Sequence, residues 1–180
     1  MKYLKVLLIV FLFSITASAN TDSFDKIMKN ILYLEDRGIF TEDEKKINTE
    51  ILTWAILSED LVLNVKPPFE LDTTYQYNRF ILMGFSYGVL YYGLENFDKF
   101  DENDIIEFNT HAYLNGCVSI IKTYEQIVRK KGDAAKNPTI EAFIASLKNP
   151  DHKKNAEKFV VNEYEKNGAK GILIYINNKE

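Results

Sequence analysis

The chain has 180 residues, of which 46% are hydrophobic, and its formal net charge is −4. This length allows one sizeable hydrophobic core, and an acidic balance without a basic block argues against nucleic acid or an anionic membrane surface as a partner. Cys117 is the one cysteine in the sequence, so no internal disulfide can form and the core itself must hold the domain together.

The first 19 residues have the three parts of a cleavable secretory signal peptide. Two lysines supply the positive charge, residues 6–13 form the apolar run, and Ala17-Ser18-Ala19 is a small-residue cleavage site. The run is shorter than the roughly 20 apolar residues of a membrane-spanning helix, although an uncleaved anchor is the alternative interpretation. We predict cleavage after Ala19, export to a bacterial periplasm, and a mature domain of residues 20–180 with a formal charge of −6.

The apolar residues of the mature domain are spaced as in helices almost throughout. In the first helix they recur every three or four positions, with Asp22 or Ser23 as the predicted cap and Gly38 after the end. The run from Thr41 to Glu44 is a capping box, in which the hydroxyl and the carboxylate each satisfy a free N–H group. The second helix that it opens is predicted to continue as far as Leu61, before a pair of prolines.

A third helix, predicted over residues 73–95 with Asp72 as its cap, is the most apolar part of the mature chain. Only one residue between Phe80 and Leu94 is polar, and a helix that is apolar on all sides is typical of the centre of a bundle. Gly84 and Gly88 lie one turn apart and allow a second helix to approach closely. We therefore predict a central helix with a tight helix contact at this glycine notch.

The rest of the chain is predicted to contain three more helices and an extended tail. The helices cover residues 102–131 after a cap at Asp101, a short segment from Asn137-Pro138, and a last segment from Asp151 to Gly168. Gly171–Ile176 is β-branched and bounded by glycine, which indicates a strand. Because no partner strand is evident, the tail is predicted to lie across the helices or to pair with another protein. The predicted fold is an all-α single-domain bundle of about six helices with a short extended C-terminal segment.

Tyrosines are concentrated on and just before the central helix, and some of them are candidates for a binding surface. A tyrosine offers a large rigid ring with one polar end, which suits a binding face. Tyr87, Tyr91 and Tyr92 are the candidate binding residues. The alternative is ordinary packing of these rings in the core.

Glu107 and His111 form the second candidate. They are four residues apart on the predicted fourth helix, with Asp104 and Asn115 on the same stripe, so the carboxylate could orient the imidazole in acid–base chemistry. No nucleophile shares this face, because Cys117 falls on the opposite side of the helix. A solvated polar face is the alternative. No metal site and no cofactor are predicted, since metal, phosphate and dinucleotide motifs are absent from the sequence.

In class and length, a small exported helical domain without a catalytic motif resembles bacterial inhibitors and immunity proteins, although the paired cysteines of one such group are missing. This resemblance implies a non-catalytic protein-binding module of the cell envelope. Its acidic charge favours a basic partner protein, and neither nucleic acid nor a stable membrane span after signal cleavage is expected. Two alternatives are a hydrolase that uses Glu107 and His111, and a carrier of a small apolar ligand between Phe85, Tyr87 and Tyr91.

Overall fold

The computed structural model describes residues 21–64, 66, 68–69 and 74–176. Within these ranges the chain forms six α-helices and two short strands, in the order α1 (Thr21–Arg37), α2 (Glu42–Leu57), β1 (Leu61–Leu63), α3 (Asn78–Glu95), α4 (Ile105–Lys131), α5 (Pro138–Ser146), α6 (His152–Asn167) and β2 (Ile174–Ile176). The predicted all-α single-domain bundle is confirmed. The predicted signal peptide and the predicted cap at Asp72 lie outside the described residues.

Helix α3 is the centre of the bundle, as its all-round apolarity predicts. One of its faces, which includes Ile81 and Phe85, packs in a cluster with α4, α5, α6 and β2. Its other face, which includes Met83 and Leu90, packs in a second cluster with α1, α2 and β1. The two clusters meet at α3, so this helix links both halves of the core.

At the glycine notch of α3, helices α3 and α4 are in close contact. A Cβ atom added at Gly88 would lie 2.5 Å from the carbonyl oxygen of Asn115 on α4, and one added at Gly84 would collide with the side chain of Thr123. Gly116 on α4 reciprocates, because a Cβ there would meet the ring of Phe85. The predicted tight contact is confirmed, and a larger side chain at the notch would force the two helices apart.

Several predicted helix ends are confirmed. Gly38 follows α1 with φ +80°, a conformation that suits glycine. Both hydrogen bonds of the capping box are present at the start of α2. The backbone N–H of Glu44 donates to the side chain of Thr41, and the backbone N–H of Thr41 donates to the side chain of Glu44. Asn137 caps α5, and Gly132 follows the last residue of α4. These features depend on neighbouring residues, which explains why the sequence predicts them.

Two predicted boundaries in α1 and α2 are wrong. Thr21, the first described residue, is already helical, so Asp22 and Ser23 lie within α1 and are not at its N-cap position. Helix α2 ends at Leu57 and does not continue to residue 61, because Ser58 adopts an extended backbone with ψ 127°. The chain then turns directly into strand β1.

The starts of α3 and α4 also differ from the predicted positions. Helix α3 begins at Asn78, and the described residues before it form a turn in which the hydroxyl of Tyr75 donates to the carbonyl of Ala135 at 2.8 Å. Helix α4 begins at Ile105, because Asp101 caps a short 3₁₀ turn that precedes it. In both places a turn that is held by polar groups replaces the first predicted helical turn.

The C-terminal tail forms a two-stranded antiparallel sheet with β1, in which Leu61 is opposite Ile176 and Leu63 is opposite Ile174. The prediction that Leu61 belongs to a helix is wrong, since its side chain is buried in the core from the strand. The expectation that the chain offers the tail no partner strand is wrong as well. The prediction that the tail lies extended against the helices is confirmed for residues 172–176, whereas Gly171 ends a short 3₁₀ turn and the strand begins at Ile174.

Asn109, which is completely buried on α4, holds the tail in place. Its amide group donates to the carbonyls of Ile105 and Ile174, each at 3.0 Å, and its Oδ1 accepts from the N–H of Ile174 at 2.9 Å. On the other side, the N–H of Asn64 donates to the carbonyl of Leu173 at 2.7 Å. Buried backbone groups of the tail are thereby paired, so apolar residues 172–174 can lie in the core.

Candidate functional site

The structure brings together Tyr92, Glu107 and His111, three of the residues that the sequence suggests for a site. The rings of Tyr92 on α3 and His111 on α4 are nearly parallel, with centroids 6.1 Å apart and an interplanar angle of 19°. The Nε2 atom of His111 lies 3.7 Å from Oε1 of Glu107, and both side chains are partly exposed. Burial, followed by the neighbouring carboxylates of Glu107 and Glu95, raises the pKa of Tyr92 above its ordinary value.

The other two tyrosine candidates lie elsewhere. Tyr87 is buried, its hydroxyl donates to Oδ1 of Asn48, and burial raises its pKa, so it is a core residue and offers no binding surface. Tyr91 is half-buried against the cluster formed with α1, and its hydroxyl lies 3.4 Å from the carboxylate of Glu95. Phe85 belongs to the opposite cluster from both tyrosines, so these three residues do not line a common pocket.

An open cleft of about 380 Å³ lies beside Glu107, between the start of α4 and the start of α6. Its lining residues are Asn103, Asp104, Ile106, Glu107, Thr110, Lys153 and Glu157. Three carboxylates therefore line the cleft together with one ammonium group. Among the described residues, neither Asp104 nor Glu157 has a cation within ion-pair distance, and Glu107 has only the imidazole of His111.

Acidic residues continue around the start of α4. Lys99 is the one basic residue between Glu95 and Glu107 in the sequence, whereas Asp98, Asp101, Glu102 and Asp104 all lie there. Carboxylates near the N-terminus of a helix interact favourably with its positive end. The long helix α4 therefore stabilises part of this charge, and the remainder is presented to solvent.

The arrangement offers acid–base groups without an activated nucleophile. Cys117 is buried on α4, and burial raises the pKa of its thiol to about 12, despite a hydrogen bond with Tyr113. The hydroxyl of Thr110, which borders the cleft, donates to the carbonyl of Ile106 at 2.8 Å and is not paired with a base. Among the residues that the structure describes, no group of three or more His, Cys, Asp or Glu is placed to hold a metal ion. The carboxylates are suited to recognition of a cation, and the pair of Glu107 and His111 is suited to proton transfer.

A much smaller cavity, of about 20 Å³, lies between α1, α3 and α4 and is bordered by Glu35, Gly84 and Tyr87. That volume accommodates about one water molecule. It gives no support to the interpretation of the chain as a carrier of an apolar ligand.

Among the cleft residues that the sequence did not indicate are Lys153 and Glu157. They reach the cleft because α6 packs along α4, a contact between segments that are distant in the chain. Their spacing of four residues on a helix was the available signal, and it is common on solvated helix faces.

Fold and site together define a small all-α bundle with an acidic surface cleft. Comparison of the chain with protein-family models, with curated proteins and with solved structures finds no match. Across the described ranges, we find no helix with the length and apolarity needed to cross a membrane.

Proposed function

We propose that this protein is a non-catalytic, exported binding module of the bacterial cell envelope, of the inhibitor or immunity-protein type. Its partner would be a protein with an exposed basic segment, which occupies the cleft between α4 and α6. The observation that carries this proposal is the cleft itself, where Asp104, Glu107 and Glu157 lie together and only Lys153 opposes their charge.

The chemistry of the cleft matches a lysine or arginine side chain. The carboxylates of Asp104, Glu107 and Glu157 would receive the cationic head, and Ile106 would contact the aliphatic stem. Uncompensated surface charge also accelerates the encounter with a partner of opposite charge, and this acceleration falls as the salt concentration rises.

Tyr92 and His111 provide an aromatic surface next to these carboxylates. Their stacked rings are attached to two different helices, and the ring of Tyr92 also packs edge-on against Phe108 of the core. Rigid aromatic side chains are frequent among the residues that dominate binding energy at protein interfaces. A hydrolase built on Glu107 and His111 is less well supported, because the described part of the site supplies no activated nucleophile.

The test is capture of partners from an envelope extract by the mature protein, with identification by mass spectrometry and measurement of Kd for the captured partner. The site variant combines Asp104→Asn, Glu107→Gln and Glu157→Gln, which removes three charges with little change of shape. We expect at least about a tenfold rise in Kd and a weaker salt dependence, because paired charges are lost at the contact.

The matched control combines Asp36→Asn, Glu125→Gln and Glu165→Gln, three exposed carboxylates outside the cleft. It changes the net charge by the same amount and should bind like the natural sequence. Equal loss in both variants would show that net charge and not the cleft attracts the partner. Unchanged binding in both would refute the proposal, and a hydrolytic activity that disappears with Glu107→Gln would favour the enzyme.

A further inference from the structure

Helix α2 is attached to the molecule by an unusually polar inner surface. Its buried residues are Glu44, Asn48 and Ile51, of which two are polar. At its C-terminal end, Ile56 is 80% exposed and Leu57 is 72% exposed. A helix of a stable bundle ordinarily buries an apolar stripe and exposes polar groups. Four further apolar residues of α2, Ile47, Leu52, Trp54 and Ala55, are only partly buried. Because Ile51 is its one fully buried apolar residue, α2 gains less from burial than α1 and α3 do.

The specific contacts of α2 are few. The carbonyl oxygen of the Asn48 side chain accepts a hydrogen bond from buried Tyr87, and Trp54 packs edge-on against Phe24 with ring centroids 5.7 Å apart. Its ion pair with α1, Lys26 to Glu50, is exposed at 3.3 Å and adds little stability. The close backbone neighbours of the helix are α1 and β1. Helix α4 reaches α2 through the ammonium of Lys130, which lies 3.8 Å from Oε1 of Glu44 at the start of α2.

The segments that flank α2 are, by contrast, firmly held. Before the helix, the ring of Phe40 stacks on Phe80 with centroids 5.8 Å apart and lies 4.4 Å from the ammonium of Lys130. After it, β1 is paired with β2. A weakly attached helix thus lies between two fixed points of the chain.

We infer that α2 opens as a separate unit, by local unfolding between these two fixed points, while α1, α3, α4 and the two-stranded sheet stay folded. Local openings of this kind need less free energy than global unfolding and involve the elements with the fewest buried apolar contacts. The opening uncovers Phe24 on α1 and Tyr87 on α3, and it does not depend on the function proposed above.

Trp54 makes the opening measurable, because it is the one tryptophan of the sequence and lies in α2. Its fluorescence reports on this helix, whereas far-ultraviolet circular dichroism reports on all helices. In a urea titration of the protein, we expect the fluorescence transition at a lower urea concentration than the main dichroism transition. Hydrogen exchange should show protection factors about 100-fold or more lower in α2 than in α3. Coincident transitions together with equal protection would overturn the inference.

Two hydroxyl deletions provide a matched pair of variants. Tyr87→Phe removes the bond to α2, whereas Tyr113→Phe alters a buried tyrosine that interacts with Cys117 on α4. We expect Tyr87→Phe to shift only the fluorescence transition to lower urea, and Tyr113→Phe to shift the main dichroism transition. If each variant shifts both transitions by the same amount, α2 unfolds with the rest of the protein and the inference is wrong.

Discussion

The two ends of α4 carry opposite charges and use them differently. At the C-terminal end, Arg129 donates to the carbonyl of Asp36 at 3.3 Å, and the ammonium of Lys130 donates to the carbonyl of Arg37 and lies 3.8 Å from Glu44. These cations satisfy carbonyl groups at the end of α1, which have no partner within that helix. The basic end of α4 is therefore part of the internal structure.

At the N-terminal end of α4, the carboxylates of Asp104 and Glu157 border an open cleft without a cation in ion-pair distance among the described residues. With 27 residues, α4 is roughly 40 Å long, so the two ends are well separated. Both charge sets complement the dipole of the helix, and the sign of the charge alone therefore does not distinguish a binding surface. A binding surface is distinguished by charged side chains that have no partner within the protein.

The largest effect is expected at Asn109. This polar residue lies in the acidic half of α4, but its side chain makes hydrogen bonds within the protein. Asn109→Ala leaves the buried N–H and C=O groups of Ile174 without partners. We expect a loss of about 2–4 kcal/mol in the free energy of unfolding, because buried backbone groups would remain unsatisfied. Urea unfolding followed by circular dichroism measures it, with exposed Asn103→Ala as the control. A loss below about 1 kcal/mol would contradict the assigned role.

At the basic end, Glu44 is expected to make stability depend on pH. Burial opposes its charged form, but hydrogen bonds from the N–H groups of Phe40 and Thr41 and the charge of Lys130 outweigh that effect and lower its pKa below the ordinary 4.5. The ionised form is therefore favoured in the folded state. Its contribution is fully present above the unfolded pKa and is lost as the pH falls through the lowered folded pKa.

Glu44→Gln should accordingly reduce the free energy of unfolding at pH 7 by about 1–2 kcal/mol, a magnitude typical of a capping residue. At pH 3 the natural protein and the variant should differ much less. Urea titrations of both proteins at the two pH values provide the measurement. A difference that is equally large at both pH values would show that the charge of Glu44 is not the cause.

The smallest effects are expected when one lysine near each end of α4 is replaced. Lys130→Met removes the bond to α1 and the contact with the ring of Phe40, and we expect a loss of about 1 kcal/mol in unfolding free energy. Lys153→Met, in the cleft, should change stability by less than about 0.5 kcal/mol. Thermal or urea unfolding distinguishes them, and equal losses would mean that the two ends do not differ as described.

Features set by neighbouring residues were predictable from the sequence. The capping box from Thr41 to Glu44, the glycine ends of helices and the central position of α3 follow from local hydrogen bonding and apolar spacing. The local sequence predicts a helix at Leu61, because its partner strand, which includes Ile176, lies far along the chain. Local periodicity carries no information about such a pairing.

The candidate site was predictable in part. The Glu107–His111 pair follows from helical spacing, but the stacking of His111 on Tyr92 depends on how α3 and α4 pack. Tyr87 and Tyr91 share a predicted face, yet their burial differs because α2 covers Tyr87. The position of Glu157 in the cleft likewise follows from tertiary packing.

The buried tail has a consequence for the order of folding. Because residues 172–176 supply core side chains and pair with β1, the core is incomplete until these residues are synthesised. Contacts between such distant segments form slowly, since a large loop must close before they stabilise the structure. For a protein exported as proposed, such a delay would help to keep the chain unfolded during translocation and would postpone final folding to its destination.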